Sequence, residues 1–392
     1  QAARPLLTTP IYDKQKAAGA QLGAAYGLEI PLWYAPRNTS DVFSWRRSTD
    51  FDHVGAEARA VRESVGLSDI SGFAKYRVSG AGAADWLDHI LACRLPAVGR
   101  MVLAPMLKDD GKIIGDFSLS RLDDDSFLII GSGIAESYHM RWFLAHLPDT
   151  GDVEINSLGL DLVGLTLAGP KSRDVLQSCV SVDISHDSMR FMAIKQIDIG
   201  MIPAIVGRVS YTGDLGYEIW VAPAYLNSLF DQLMTAGAAH DIRLFGSRAL
   251  NALRLEKNYG SWGREYRPIY GPVETGLDAF VAYDKPAGFI GKSAALAERD
   301  SGGTMRLCSF VIEAKDADVI GDEPIAHNGT VVGWVTSGGY AHGAGKSMAQ
   351  GYVPKNIADD DSGWSVELLG QILPAKRQKI PLFDANASRM RS

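Results

Sequence analysis

The chain has 392 residues, 46% of them hydrophobic and 22% charged, with a formal net charge of -7. That length buries a large core over two or three domains, and the acidic balance argues against a nucleic-acid partner, which needs a positive footprint. No run approaches the roughly 20 apolar residues of a membrane span, and no secretory leader pattern is present. The isolated Cys93, Cys179 and Cys308 read as buried thiols of a reducing cytoplasm rather than a disulfide frame or a metal cluster.

In chain order, residues 1–50 are rich in Pro, Ala and Gly and predict a packed lead-in with a short helix near 14–24. Residues 54–65 predict an amphipathic helix closed by Gly66. A strand over Lys75 to Val78 and a helix over Ala81 to Leu91 follow. Met101 to Leu107 and Ile113 to Leu122 pair across Asp109-Asp110-Gly111, a strong turn signal. Ser126 to Gly131 is a further strand, and Ile134 to Leu147 a helix. The same order then recurs: a strand near 161–168, a helix at 170–179, strands near 192–197 and 201–210, a hairpin, and helices at 224–239 and 246–257. Mixed elements with tight hairpins favour an α+β fold over a doubly wound parallel sheet. Beyond about 303 the texture changes to Leu307–Ile312, Glu323–Ala326, Thr330–Val335, Ser347–Val353 and Ser365–Leu369, short strands with Gly-rich turns. They predict a small β-barrel or sandwich, with Ala297 to Gly303 as the linker.

Two stretches carry candidate chemistry. The run from Arg208 to Trp220 alternates, breaks at Thr-Gly-Asp-Leu-Gly and alternates again, the pattern of a hairpin. In its second strand Tyr217, Ile219 and Val221 face one side, leaving Glu218 and Trp220 on the other. A carboxylate beside an aromatic suits a flat heterocycle with adjacent N–H donors, such as the aminopyrimidine edge of a pterin. A solvated glutamate on an exposed sheet face fits the same pattern, and the hairpin alone does not choose. On the strand after the Asp109-Asp110-Gly111 turn, Phe117 and Leu119 face one way and Asp116, Ser118 and Ser120 the other. By pattern alone, Asp116 also reads as an exposed carboxylate.

Other chemistries find less support. Gly131-Ser-Gly-Ile-Ala-Glu136 imitates a dinucleotide loop, but its glutamate sits badly beside a pyrophosphate, so FAD or nicotinamide binding by these residues is not expected. The eight histidines show no metal-ligand spacing, and no Gly-x-Ser-x-Gly elbow occurs. No metal is expected.

The stretches Val65–Tyr76, Leu167–Arg173, Val209–Glu218, Phe245–Lys257, Trp262–Glu265, Gly288–Lys292 and Val335–Tyr340 occur in an order that resembles the tetrahydrofolate-binding aminomethyltransferase fold, the glycine-cleavage T-protein family. They are most similar to the folate-binding C-terminal halves of dimethylglycine and sarcosine dehydrogenases, from about residue 5 to about 385. The resemblance implies a three-lobed cloverleaf: the lead-in at 1–50, a folate-binding core of two interleaved lobes at 51–300, and a barrel lobe at 301–392. It places the catalytic acid at Asp116, pterin contacts at Tyr211 and Glu218, a folate-contacting arginine at Arg248 and a weaker polar contact at Ser118. Where T-proteins often show two adjacent acids, this chain has Gly115-Asp116. Phe383 stands where relatives often carry a tyrosine near the folate, and it has no hydrogen bond to donate.

The implied activity is capture of formaldehyde or an iminium from a methylated amine, giving 5,10-methylenetetrahydrofolate. The carbon would come from a demethylating domain or subunit, either flavin-dependent or a metal-dependent lyase of the trimethylamine N-oxide demethylase type. A free-standing methyltransferase is the third form. Thr8–Lys14 and Pro31–Pro36 resemble stretches that follow the flavin-binding half of the look-alike dehydrogenases, so the chain beginning at Gln1 reads as part of a two-part cytoplasmic enzyme. A non-catalytic folate-binding partner of iron–sulfur assembly shares the fold. That type carries a Lys-Gly-Cys motif near the position of Lys257-Asn-Tyr-Gly-Ser-Trp262, where this chain has no cysteine.

Overall fold

In the computed structural model, which describes residues 3–36 and 38–392, the chain enters through α1 (Tyr12–Ala17) and an antiparallel ribbon of β1 (Ala20–Ala25) and β2 (Leu28–Tyr34). Residues 1, 2 and 37 of the lead-in lie outside the described residues. The helix expected near 14–24 stops early because Gly19 takes φ 92, where a Cβ would stand 1.9 Å from the Ala35 carbonyl oxygen. The amphipathic helix α2 (Phe51–Glu63) follows, burying Val54, Ala58 and Val61, and then β3 (Gly66–Asp69).

Two sheets of matching strand order form the centre. The first uses β4 (Ala74–Ser79), α3 (Ala83–Ile90), β5 (Arg100–Leu107), β6 (Ile113–Asp123), β7 (Ser126–Gly131), α4 (Glu136–Ala145) and β8 (Glu154–Ser157), in the order β5-β6-β7-β4-β8. One face presents Tyr76, Phe117, Leu119, Phe127 and Ile129 to Trp86, Leu87, Ile90 and Phe143 of the two helices. Each large apolar side chain buried there contributes about 1.5–3 kcal/mol. The second uses β9 (Val163–Ala168), α5 (Ser172–Gln177), β10 (Ile194–Ile199), β11 (Ile202–Gly207), β12 (Gly216–Val221), α6 (Pro223–Gly237) and β13 (Arg243–Leu244), in the order β10-β11-β12-β9-β3-β13. The recurrence read in the sequence is therefore a structural repeat, with β3 taking the place of β8.

Near Arg208 the strand ends sooner than its alternation suggests. Pairing of β11 with β12 covers only Ile205–Gly207 against Glu218–Trp220. Past it, the Ser210 and Thr212 hydroxyls bond each other at 2.7 Å and accept the Thr212 and Asp214 N–H groups. These local bonds replace a sheet ladder.

After α7 (Ser247–Glu256), α8 (Pro272–Thr275) and α9 (Lys292–Ser301) comes a closed barrel, all of whose strand pairs are antiparallel. Its strands are β14 (Met305–Ile312), β15 (Pro324–His327), β16 (Thr330–Ala341), β17 (Lys346–Pro354), β18 (Trp364–Leu368) and β19 (Gln371–Gln378), in the order β14-β17-β16-β15-β18-β19. Most of the stretch expected as a linker is the end of α9, which Gly302 closes at φ 76. The α+β class and the C-terminal barrel stand as read. A short helix, α10 (Ser388–Arg391), ends the chain.

Candidate active site between the two sheets

Each central sheet buries one face under its own helices and turns the other toward its partner. On β12, Tyr217, Ile219 and Val221 join the core with Leu226, Leu229 and Leu233 of α6, which leaves Glu218 and Trp220 facing the first sheet. On β6, burial of Phe117 and Leu119 leaves Asp116, Ser118 and Ser120 facing the second. The faces meet in an apolar seam of Ile70, Leu128, Ile130 and Trp220. Ile130 is the ladder partner of both Lys75 and Ser118, so Ser118 lies in a row beside the seam. Met101, paired with Ser120 on the Asp116 face, reaches across to Gly207, the ladder partner of Glu218. The registers thus put Asp116 and Ser118 on one sheet, and Glu218 on the other, on the two faces that turn toward each other across this seam.

Asp116 sits just past a β-bulge. Leu107 pairs with Ile113 and Met106 with Gly115, so Ile114 is unpaired and the alternation changes phase. Half-buried Asp116 keeps its Oδ1 enclosed and without a hydrogen-bond partner. Burial, reinforced by the Glu265 carboxylate, pushes its pKa up to about 8. Glu265 is itself buried and fixed by Arg254 at 3.1 Å, the Ser261 N–H at 2.9 Å and the Thr336 hydroxyl at 2.6 Å. Tyr211 is a neighbour: burial first, then the charges of Glu265 and Asp116, raise its phenol pKa. Its Oη donates to the Gly260 carbonyl at 2.6 Å, and its ring stacks on Tyr259 with centroids 6.0 Å apart.

Glu218 is 9% exposed, which rules out a solvated glutamate. Its ladder row runs Gly207, Glu218, Thr166, Ser68, a polar strip across the second sheet. Burial alone lifts its pKa to about 7. A buried carboxyl with neither a cation nor a donor beside it is a poor structural element and a good receptor for N–H groups. The enclosed Oδ1 of Asp116 and the bare carboxyl of Glu218 therefore suit a ligand carrying several nitrogens, and a reduced pteridine fits that donor set.

Arg248, at the start of α7, is committed elsewhere: it grips Asp41 at 3.1 and 3.0 Å and Asp50 at 2.7 Å. Phe383 lies beneath the Arg62 guanidinium at 3.5 Å, with Arg389 and Lys257 nearby. The loop from Asn258 to Tyr266 announces no chemistry by pattern. Its one signal is the Trp-Gly-Arg-Glu stretch at 262–265, which marks the family order. The recesses at His89, His146 and Phe289–Ser293, and at Arg46 and Leu368–Leu373, hold neither Asp116 nor Glu218. Among the described residues no group of three or more His, Cys, Asp or Glu is placed to hold a metal ion, and no helix is long and apolar enough to cross a membrane.

Comparison with known proteins agrees with this fold. Residues 11–285 match the family model described as the GCVT N-terminal domain, and residues 306–384 match the glycine cleavage T-protein C-terminal barrel domain. The chain is 36% identical to human mitochondrial dimethylglycine dehydrogenase over 94% of its own length and 43% of that protein's. It is 30% identical to the 4-methylaminobutanoate oxidase (formaldehyde-forming) of Paenarthrobacter nicotinovorans, covering 47% of it. It thus spans about half the length of these two relatives. An aminomethyltransferase of Halothermothrix orenii is 29% identical and covered over 99% of its length. Among solved structures, the glycine cleavage system aminomethyltransferase T of Bartonella henselae superposes with a TM-score of 0.84 over 97% of this chain at 23% identity, a likeness of fold. The paired sheets, the barrel and both family models establish that the chain belongs to the glycine-cleavage T-protein family of folate-dependent aminomethyltransferases.

Proposed function

We propose that the space between these two faces binds tetrahydrofolate and that the chain captures a one-carbon unit at the formaldehyde level, released from a methylated amine by a demethylating domain or subunit. The carrying observation is the pair of carboxyls on facing sheets, Asp116 with its partnerless Oδ1 and Glu218 with no cation beside it. When bound, tetrahydrofolate supplies two nearby nitrogens able to hold one carbon between them. Glu218 holds the aminopyrimidine edge by accepting two N–H bonds, and Tyr211 and Ser118 line the approach. With formaldehyde as donor, each of the two nitrogens gives up one proton as its bond to the carbon forms, and both protons end on the carbonyl oxygen, which leaves as water; Asp116 relays them from nitrogen to oxygen. A pKa of about 8 suits that exchange near neutral pH. Once ionised, the Asp116 carboxylate also steadies the positive charge that develops opposite it. Arg248 joins the folate only by releasing Asp41 and Asp50.

The names of the dehydrogenase and formaldehyde-forming oxidase relatives favour an oxidative partner over a metal-dependent lyase, and the resemblance to flavin-dependent dehydrogenases assigns FAD to that partner. Three buried, unpaired cysteines favour a reducing compartment such as the cytoplasm. Calorimetry with tetrahydrofolate tests the reading directly. Binding that weakens at least about tenfold in Glu218→Gln is expected, and no binding to the wild-type chain would point instead to a docking or accessory role.

A further inference from the structure

We propose that Tyr266 is a positioning residue for the carbon transfer, its phenol acting through Asp116; this rests on the folate reading above. The geometry begins at Gly260. A Cβ there would stand 2.5 Å from Tyr266 Cζ and 2.8 Å from its Oη, so the absent side chain is the seat of that phenol. The same glycine's carbonyl accepts the Tyr211 hydroxyl at 2.6 Å. Two phenols from distant parts of the chain are therefore fixed to one backbone residue.

Tyr266 belongs to one apolar cluster with Ile113 and Leu107, against which Leu103 packs. Because of the bulge at Ile114, these are the apolar residues on the Asp116 face of β5 and β6. Tyr266 thus forms wall next to the acid. Burial first, then the Asp116 charge, keeps its hydroxyl protonated and available as a donor. The enclosed Oδ1 of Asp116 is the acceptor in need of one whenever the carboxyl is ionised.

The loop carrying Tyr266 has little freedom. The Tyr266 carbonyl accepts the Gly263 N–H at 2.8 Å and its N–H donates to Ser261 at 3.1 Å, while neighbouring Glu265 is bound on several sides. Trp262 of the same loop packs edge-on to His139 at 5.0 Å, and His139 in turn packs on Phe117 at 4.8 Å. His139 Nε2 lies 3.3 Å from the point where a Cβ on Gly115 would stand. The loop therefore grips β6 through residues on both sides of Asp116.

Tyr266→Phe removes the hydroxyl and keeps the ring. In the full chain, assayed with tetrahydrofolate and formaldehyde, its transfer kcat should fall at least about tenfold while the tetrahydrofolate Kd moves less than about twofold and Tm holds. Adding Tyr266→Phe to Asp116→Asn should cost nothing more, since both act at one step. Gly260→Ala, which displaces the phenol, should reproduce the kcat loss; if it fails to fold, Tyr266→Phe decides alone. Wild-type kcat in Tyr266→Phe, or a loss lying wholly in Kd, overturns the assignment. Full transfer by Asp116→Asn, or no folate binding by the wild type, would instead sink the functional reading, so the two failures are distinguishable.

Discussion

The Met101 Sδ lies 3.0 Å from the point where a Cβ on Gly207 would stand. Met101 shares a sheet face with Asp116, and Gly207 is the ladder partner of Glu218, so this contact bridges the two faces that carry the acids. Gly207→Val should force the methionine inward. A tetrahydrofolate affinity lowered about tenfold is expected, with a stability loss of about 1–3 kcal/mol for overpacking. Unchanged affinity, measured by calorimetry, would place the ligand away from this contact.

The raised carboxyls give the free protein a definite pH dependence. An unfolded chain ionises Glu218 near 4.5, whereas the fold holds its proton up to about 7. Between those values the folded state binds more protons, so stability falls as pH rises through the window and levels off above it. Glu57, lifted to about 7 by burial, and Asp116, lifted to about 8, act in the same sense. Denaturant titrations should show stability declining from pH 5 to 8, and Glu218→Gln should be more stable than wild type by about 1–3 kcal/mol at pH 8. A stability that rises over that range would contradict the buried, unpaired state of these acids.

Folate binding should release protons. An N–H-rich edge favours the ionised form of Glu218, which in the free protein is partly protonated near neutral pH. Calorimetry at pH 6.5 in buffers of different ionisation enthalpy should report net release, and Glu218→Gln should abolish it.

The transfer rate should rise with pH along a limb near the Asp116 pKa of about 8, because only the ionised form accepts a proton. Asp116→Asn should lower kcat by about 10²–10⁴-fold and erase that limb. Full methylene transfer in this variant, with normal folate binding, would remove Asp116 from the chemistry.

Arg248→Ala should loosen the lead-in, since its guanidinium ties Asp41 and Asp50 to α7. Limited proteolysis within residues 38–50 should accelerate. An accompanying loss of folate affinity is what the sequence resemblance expects of Arg248, whereas loosening alone would take it out of the folate site.

Period-two patterning was legible wherever one sheet face is buried: Asp116 and Glu218 both occupy the faces assigned from alternation. Their burial was not legible, because it depends on a second sheet covering that face. The ribbon of β1 and β2 escaped because its interrupted Gly, Ala and Pro pattern resembles loop. The Pro374 inside β19 argues against a strand, yet barrel closure between β14 and β18 fixes that segment in place. Arg248 illustrates a different limit, since sequence order does not reveal that two lead-in aspartates hold it. The Tyr266 wall depends on a one-residue phase change at Ile114, which no hydrophobic pattern announces.

Duplication of the sheet motif has one last outcome. Asp116 belongs to β6, whose counterpart in the second half is β11, whereas Glu218 belongs to β12, the counterpart of β7. The acids are not mates under the repeat, so the facing surfaces have polarity: on the proposed function one side reads a heterocycle and the other handles a proton. A hybrid made of two copies of either half would preserve the architecture and forfeit that directionality.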